Sequence, residues 1–275
     1  MRSARVLPRD GSTLHYWLSG PSAGPIVALT HGACLDHHSF DHQVAALEGA
    51  GFQVLTWDMP GHGASKRLVG RFTVARLAED LRALLDEVGA TEAIVLGHSM
   101  GGYVAQEFAH RFRERTSALV VVGSTDLARP ASRLWRPIYA ALPLALRCMS
   151  LNGYRKRALA DLALRAPVRD YAKHAMSVID RKEFIDIIRG GVHCLWFGTG
   201  HGDDHSIPMP FLLTHGDRDR ANRGVFIKSS PRWAARVPSC VYEVVPNAGH
   251  AAHMDNPEAF NALLLRFLSR HDRAV

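Results

Sequence analysis

The chain has 275 residues, with 33 Lys or Arg against 26 Asp or Glu, a net charge of +7 and an apolar content of 47%. That length can bury a substantial core, and the composition excludes disordered, collagenous and membrane-spanning classes. The positive balance does not mark a nucleic-acid binder. Lysine occurs only at Lys66, Lys156, Lys173, Lys182 and Lys228, and the arginines are scattered at helical spacing without an aromatic-interleaved stripe.

The cysteines, Cys34, Cys148, Cys194 and Cys240, lie far apart with no zinc or redox spacing, which favours reduced thiols and a cytoplasmic setting. The stretch from Met1 to Gly11 has no apolar h-region, so no signal peptide is expected. No membrane association is expected either.

In chain order, Ser3 to Leu7 and Thr13 to Leu18 predict a hairpin around Arg9-Asp10-Gly11-Ser12. Ile26 to Thr30 is a continuous apolar run, the kind buried on both faces of a parallel sheet. A loop, His31-Gly32-Ala33-Cys34, leads to a helix over Ser39 to Ala50, closed by Gly51. Phe52 to Trp57 is the next strand, followed by the breaker-rich Asp58-Met-Pro-Gly-His-Gly-Ala-Ser65. Thr73 caps a helix whose apolar positions, Val74 to Val88, recur every three or four residues before Gly89.

Ala93 to Leu96 then forms a short apolar strand running into Gly97-His-Ser-Met-Gly-Gly102 and a helix that continues to about Phe112. Gly-x-Ser-x-Gly between a strand and a helix is the signature of a nucleophile elbow. A turn that lifts Ser99 above a sheet drives it to positive φ, where side chains two residues either side collide, and Gly97 and Gly101 remove them. The Met100 N–H then sits at the positive end of the following helix, where it can stabilise an oxyanion.

Ala118 to Val122 is another buried strand. The alternation of strand and helix predicts an α/β fold with a mostly parallel, doubly wound sheet. It stops at Asp126. The stretch from Asp126 to Ser206 has helical periodicity, several prolines and no good strand, and its 13 basic and 8 acidic residues hold +5 of the net charge. Such a length cannot be a loop in a compact domain. A helical cap over the sheet is expected, with Leu134, Trp135, Ile138, Tyr139, Leu142, Leu144, Leu146, Trp196 and Phe197 packing its helices or lining a partly hydrophobic site. Strands resume at Phe211 and at Val241 to Val245. Ser230-Pro231 reads as the N-cap and first residue of a short helix, and Pro257 to Leu268 as a closing one.

A serine hydroxyl needs a base to take its proton and an acid to orient that base. In a parallel α/β sheet such groups belong at the C-terminal ends of strands. Asp219 in Gly216-Asp-Arg-Asp219, with Asp217 two residues before it, and His250 in Gly249-His250 qualify. His98 should point away from the Ser99 hydroxyl, His253 towards the next helix, and His62 reads as structural. Asp36-His37-His38 with Asp41-His42, and Asp203-Asp204-His205, are rich in ligand types without ligand spacing, so no metal is expected.

Taken together, His31-Gly32 with Phe40 and Gln43, Asp58-x-Pro-Gly-His-Gly-x-Ser65, Gly97-His-Ser-Met-Gly-Gly102, Gly216-x-x-Asp219, and Gly249-His250 with Asn256-Pro-Glu-Ala-Phe260 resemble the α/β-hydrolase superfamily. Within it they are similar to cofactor-independent haloperoxidases and perhydrolases and to small esterases, over about residues 10–125 and 208–270. The resemblance implies a core of residues 1–125 and 207–275 interrupted by a cap at 126–206. It also implies catalysis by Ser99, His250 and Asp219, the later aspartate being favoured over Asp217 and over Asp126, which follows the preceding strand where some relatives carry the acid, and oxyanion N–H groups from Ala33 and Met100.

Two positions depart from the pattern. Phe40 stands where many relatives carry tryptophan, and Ala33 where perhydrolases often carry a bulky residue, which argues against perhydrolysis. The expectation is hydrolysis of a small carboxylic ester, thioester or lactone without cofactor. Cofactor-free dioxygenases, carbon–carbon bond hydrolases and receptor-like binding homologues share the fold and are the alternatives. Haloalkane dehalogenases and epoxide hydrolases are excluded on the aspartate they carry where Ser99 stands.

Overall fold

The computed structural model describes residues 4–9, 11–65, 69–129, 150–198 and 206–271. Within them the chain lays down strands β1 (Arg5–Arg9), β2 (Ser12–Ser19), β3 (Ile26–Thr30), β4 (Gln53–Trp57), β5 (Ala93–His98), β6 (Thr116–Val122), β7 (Phe211–Gly216) and β8 (Cys240–Val245). They form one eight-stranded sheet in the order β1-β2-β4-β3-β5-β6-β7-β8. β1 and β2 form the expected hairpin, β2 runs antiparallel to β4, and every other pairing is parallel.

Helices α1 (Asp41–Gly49), α2 (Val74–Glu87) and α3 (Met100–Arg111) alternate with the strands as the sequence predicts. Between β6 and β7 come α4 (Leu151–Leu162), α5 (Ala166–Ser177) and α6 (Arg181–Phe197). The chain then closes with α7 (Val225–Ala234), the single turn α8 (Ala252–Asp255) and α9 (Pro257–His271). Leu134, Trp135, Ile138, Tyr139, Leu142, Leu144, Leu146 and Cys148 lie outside the described residues, as do Asp203-Asp204-His205 and the side chains of Trp196 and Phe197.

The continuous apolar strands divide their residues between two cores, because successive side chains point to opposite faces. Ala28, Val95, Leu119, Val121, Phe211 and Leu213 face α2, α3 and α7, meeting Leu77, Leu81, Phe108 and Trp233. Their neighbours Val27, Leu29, Ile94, Leu96, Val120 and Leu212 face α1 and α9, meeting Val44, Leu47, Phe260 and Leu264. Burial on both faces explains why these strands read as unbroken apolar runs.

Local chemistry sets the helix ends. The Thr73 hydroxyl accepts from the Arg76 N–H, and Asp180 accepts from the Glu183 N–H at 2.8 Å to open α6. Gly51 at φ 90° and Gly89 at φ 72° stop α1 and α2. One expected boundary is wrong. Ser230-Pro231 does not open α7, which begins at Val225 after Gly224 in the left-handed region. Pro231 lies inside the helix, where it cannot donate to a preceding carbonyl, and the Ser230 hydroxyl donates to the Phe226 carbonyl at 2.8 Å. Burial of Phe226 and Trp233 on one face outweighs the proline signal.

Leu29 is fully buried in a central strand. Leu29→Ala should lower stability by about 2–5 kcal/mol, read as a lower urea midpoint with unchanged slope. A loss below about 1 kcal/mol would contradict a close-packed core at that point.

Candidate active site

β5 ends in the elbow. Ser99 stands at φ 52° and ψ −113°, outside the regions a side chain ordinarily occupies. Its N–H donates to the Val122 carbonyl at 2.8 Å, and its own carbonyl accepts from the Ser124 hydroxyl at 2.6 Å and the Gly102 N–H at 2.9 Å. The flanking glycines are required by space. A Cβ on Gly97 would fall on the Gly101 carbonyl, and one on Gly101 would fall on the Thr30 carbonyl oxygen. Both contacts are with backbone, so nothing can swing aside.

Two further loops at the C-terminal ends of strands reach this serine. The Ser99 hydroxyl donates to His250 Nε2 at 2.9 Å, and His250 Nδ1–H donates to Asp219 Oδ2 at 2.8 Å. That bonding fixes the tautomer: Nδ1 carries the proton and Nε2 is left to accept. The second Asp219 oxygen accepts from the Ala221 N–H at 2.9 Å. Asp219 is 1% exposed and His250 6%, so bulk water competes little for these bonds. Phe226 stacks on the imidazole with ring centroids 4.8 Å apart and planes 23° from parallel. Sequence reasoning missed this contact, because reading Ser230 as the helix cap leaves Phe226 outside any element.

The rival acids go elsewhere. Asp126 forms an ion pair with Arg236 at 2.6 Å and accepts from the Ala128 N–H. Asp217 accepts from the Ala248 N–H at 3.0 Å and shapes the turn before His250. Burial acts to raise the Asp217 carboxyl, but backbone N–H groups of Ala248 and Asn247 outweigh it and hold it below its ordinary value.

The loop carrying Ala33 rests on two histidines. The Cys34 N–H donates to His62 Nε2 at 3.0 Å and the Met59 N–H donates to His31 Nε2 at 3.0 Å, so both rings carry their proton on Nδ1. These Nδ1–H groups donate to the Pro60 and Gly32 carbonyls. The bonds hold Cys34 at φ 62° directly after Ala33. Among the described residues no acceptor takes the Ala33 or the Met100 N–H. His98 points away from the Ser99 hydroxyl, and its Nε2–H donates to the His250 carbonyl at 3.0 Å. The fully buried His253 ring lies against His98, Phe40 and, in α9, Phe260. Burial pushes His62 and His253 down to about 3 and lowers His31 and His98 as well.

Other ligand-rich stretches have structural duties. His37 donates its ring N–H and backbone N–H to Asp58 Oδ1 and stacks on Trp17. Asp36 accepts from the Tyr171 hydroxyl at 2.7 Å, and His38 pairs with Asp41 on the surface. Among the described residues no group of three His, Cys, Asp or Glu side chains gathers to hold a metal ion.

A cavity of about 330 Å³ opens onto Ser99 and His250. Gly32, Ala33 and Cys34 form one side, and Tyr154, Ala158, Leu162, Met176, Phe184 and Ile188, from α4 to α6, form another. Its size is at the lower end for a small-molecule site.

The family model described as "Alpha/beta hydrolase family" matches residues 27–263. The chain belongs to that family. Among relatives of this alpha/beta hydrolase, the magnesium-chelatase 30 kDa subunit of Rhodobacter capsulatus is 38% identical, covering 97% of this chain and 95% of that one. A 2-hydroxy-6-oxononadienedioate/2-hydroxy-6-oxononatrienedioate hydrolase of Cupriavidus pinatubonensis is 26% identical over 96% of this chain and 94% of its own. A hydrolase from Pseudomonas aeruginosa superposes with a TM-score of 0.77 at 27% identity, covering 96% of this chain and 98% of that chain. Among the described residues of this alpha/beta hydrolase, no helix is long and apolar enough to cross a membrane.

The buried histidines make stability depend on pH. Each of His31, His62, His98 and His253 has a folded value below its unfolded value near 6.5. Their contribution is therefore complete above about pH 6.5 and is lost as the pH falls towards about 3, where the unfolded chain binds protons the folded one refuses. Unfolding free energies from urea titrations should hold between about pH 7.5 and 6.5 and then fall towards pH 4.5 more steeply than one proton allows, about 1.4 kcal/mol per pH unit. A flat profile would show that these rings are not held neutral.

Proposed function

We propose that this alpha/beta hydrolase is a serine hydrolase that cleaves a carboxylic ester, thioester or lactone through an acyl-serine intermediate. The observation carrying this reading is the unbroken relay from the Ser99 hydroxyl through His250 to Asp219, with each contact within 3 Å. Ser99 Oγ attacks the substrate carbonyl carbon while its proton passes to His250 Nε2. The imidazolium so formed is stabilised by Asp219, whose carboxylate stays ionised. As the tetrahedral intermediate collapses, His250 returns the proton to the leaving alcohol or thiol, and the carbonyl remains on Ser99. A water enters, gives its proton to His250 and attacks the acyl carbon, and Ser99 leaves with the proton restored.

The oxyanion formed in both halves needs donors that are already aimed and not otherwise engaged. The Ala33 and Met100 N–H groups meet the second condition. Each donor of this kind typically contributes roughly 3 kcal/mol to the transition state. The segment 126–206 is the cap in this reading, and α4 to α6 are the part that meets the substrate.

Carbon–carbon bond hydrolysis of a diketone is the second reading, favoured by the whole-length likeness to the Cupriavidus pinatubonensis hydrolase. A role beside a magnesium chelatase would rest on the name of the Rhodobacter capsulatus relative alone. The hydrolase reading rests on side chains this chain possesses.

Pre-steady-state hydrolysis of p-nitrophenyl butyrate tests it. Wild type should release a burst of nitrophenol stoichiometric with enzyme, and Ser99→Ala should abolish the burst and reduce turnover by at least about a thousandfold while unfolding at an unchanged urea concentration. Turnover in Ser99→Ala within threefold of wild type would remove Ser99 from the mechanism.

A further inference from the structure

α4 presents an unexpected face to the cavity. Tyr154, Arg157, Ala158, Asp161 and Leu162 all line it, at the spacing that puts residues on one side of a helix. An ordinary amphipathic helix keeps such an inward stripe apolar and turns its charges to solvent. Here the second and fourth members of the stripe are charged, and they look towards the nucleophile.

Among the described residues neither charge is used to hold the fold. Among the described residues Arg157 has no hydrogen bond or ion pair, and Asp161, one turn further on, has none either. Arg155, two residues earlier, shows the contrast: its guanidinium donates to the Ile179 carbonyl at 2.9 Å and lies over the Phe184 ring. Arg157 is exposed while it lines the cavity, which places it at the mouth.

A second donor stands beside that mouth. Asn222 also lines the cavity, with no partner for its amide among the described residues. It is held at φ 48°, in the left-handed region, in the short turn Ala221–Gly224 that packs against α4. That turn is anchored to the site, since the Ala221 N–H donates to Asp219. Together the guanidinium and the amide offer seven N–H donors in two planar groups.

Resting on the serine-hydrolase reading, we infer that the substrate carries a carboxylate remote from its scissile bond, and that Arg157, assisted by Asn222, binds it. Planar guanidinium meets planar carboxylate through paired N–H···O bonds, which fix orientation as well as strengthen binding. The apolar wall of Ala158, Leu162, Met176, Phe184 and Ile188 takes the hydrocarbon between carboxylate and ester. Asp161 on the same face repels a misplaced anion and so sharpens the register. The substrate class is therefore the half-ester of a short dicarboxylic acid, or a lactone bearing a free carboxylate.

Two acyl esters of equal length read this directly: p-nitrophenyl hexanoate and the mono-p-nitrophenyl ester of adipic acid. The quantity is the ratio of kcat/KM for the anionic ester to that for the neutral one. In wild type it should exceed one and fall as NaCl rises from 20 to 500 mM, since the pair is at a solvent-accessible mouth. Arg157→Gln should lower the ratio at least fivefold, Arg157→Lys should lose less, and Asp161→Asn should raise it. A ratio in Arg157→Gln that falls less than fivefold, or that moves in the same direction as in Asp161→Asn, overturns the inference. The neutral ester separates the two layers of argument. A Ser99-dependent burst with hexanoate and no Arg157 effect on the ratio sinks this inference alone, whereas no burst with either ester sinks the serine-hydrolase reading beneath it.

Discussion

A serine held in the left-handed half of conformational space is the constraint on which the rest of the molecule depends. The conformation at Ser99 costs of order 1–3 kcal/mol and persists only because its surroundings leave no alternative. Its N–H is bonded into β6, its carbonyl accepts from Gly102, Tyr103 and Ser124, and the helix that follows is packed so closely on β3 and β5 that Gly97 and Gly101 admit no Cβ. Relaxing Ser99 would therefore mean moving α3 off the sheet. The strain at one residue is balanced by two hydrophobic cores, one on each sheet face, and this is why the elbow sits in the central strand β5 and not at an edge.

The loops that meet Ser99 lack such a lattice, and buried histidines take its place. His31 and His62 use both ring nitrogens between one loop and the next, so the turn through Ala33 and Cys34 is gripped by the Met59 to Ser65 loop. His98 performs the same service for His250, joining the residue before Ser99 to its backbone. A neutral imidazole suits this task because it offers one donor and one acceptor on a rigid ring. The same choice makes the arrangement sensitive to acid, since a second proton would turn an acceptor into a donor and place a charge in a dry interior.

How much of this was legible in the sequence follows from how local each requirement is. The elbow is legible because its steric demand falls on residues two apart, so Gly97, Ser99 and Gly101 appear side by side. Asp219 and His250 are legible because parallel strands deliver their loops to one edge, and a polar residue directly after an apolar run announces that position. The roles of His98 and His62 as ties between loops were not legible beyond their being structural, because their partners are backbone atoms 152 and 28 residues away and leave no pattern. Phe226 was hidden by Pro231, whose local preference for a first helical turn lost to the burial of one helical face. Arg157 illustrates a further limit. A charged residue at helical spacing reads as solvated until the orientation of the helix is known, and the sequence does not carry that orientation.

The contacts that attach α4 to α6 converge on the turn that carries His250. The segment docks through apolar packing, with Leu162, Ala163, Val168 and Ala172 clustered on Leu35, Ala251 and Met254, and through hydrogen bonds to its backbone. Ala251 N–H donates to the Leu162 carbonyl at 2.8 Å, and the N–H groups of Leu164 and Arg165 donate to the buried Asp255 carboxylate. That same carboxylate accepts from the Gly249 N–H, beside His250, so one side chain sets the position of the segment relative to the base. Tyr171 adds a side-chain tie to Asp36 on the oxyanion side. None of these bonds uses a side chain of α4. Leu162 of the cavity-facing stripe belongs to the apolar cluster, whereas the side chains of Arg157 and Asp161, among the described residues, take no part in this attachment. The arrangement of Ser99, His250 and Asp219 is thus fixed by sterics and buried hydrogen bonds. Among the described residues the side chain at position 157 makes no bond that holds α4, so the placing of the helix does not call for a charge there.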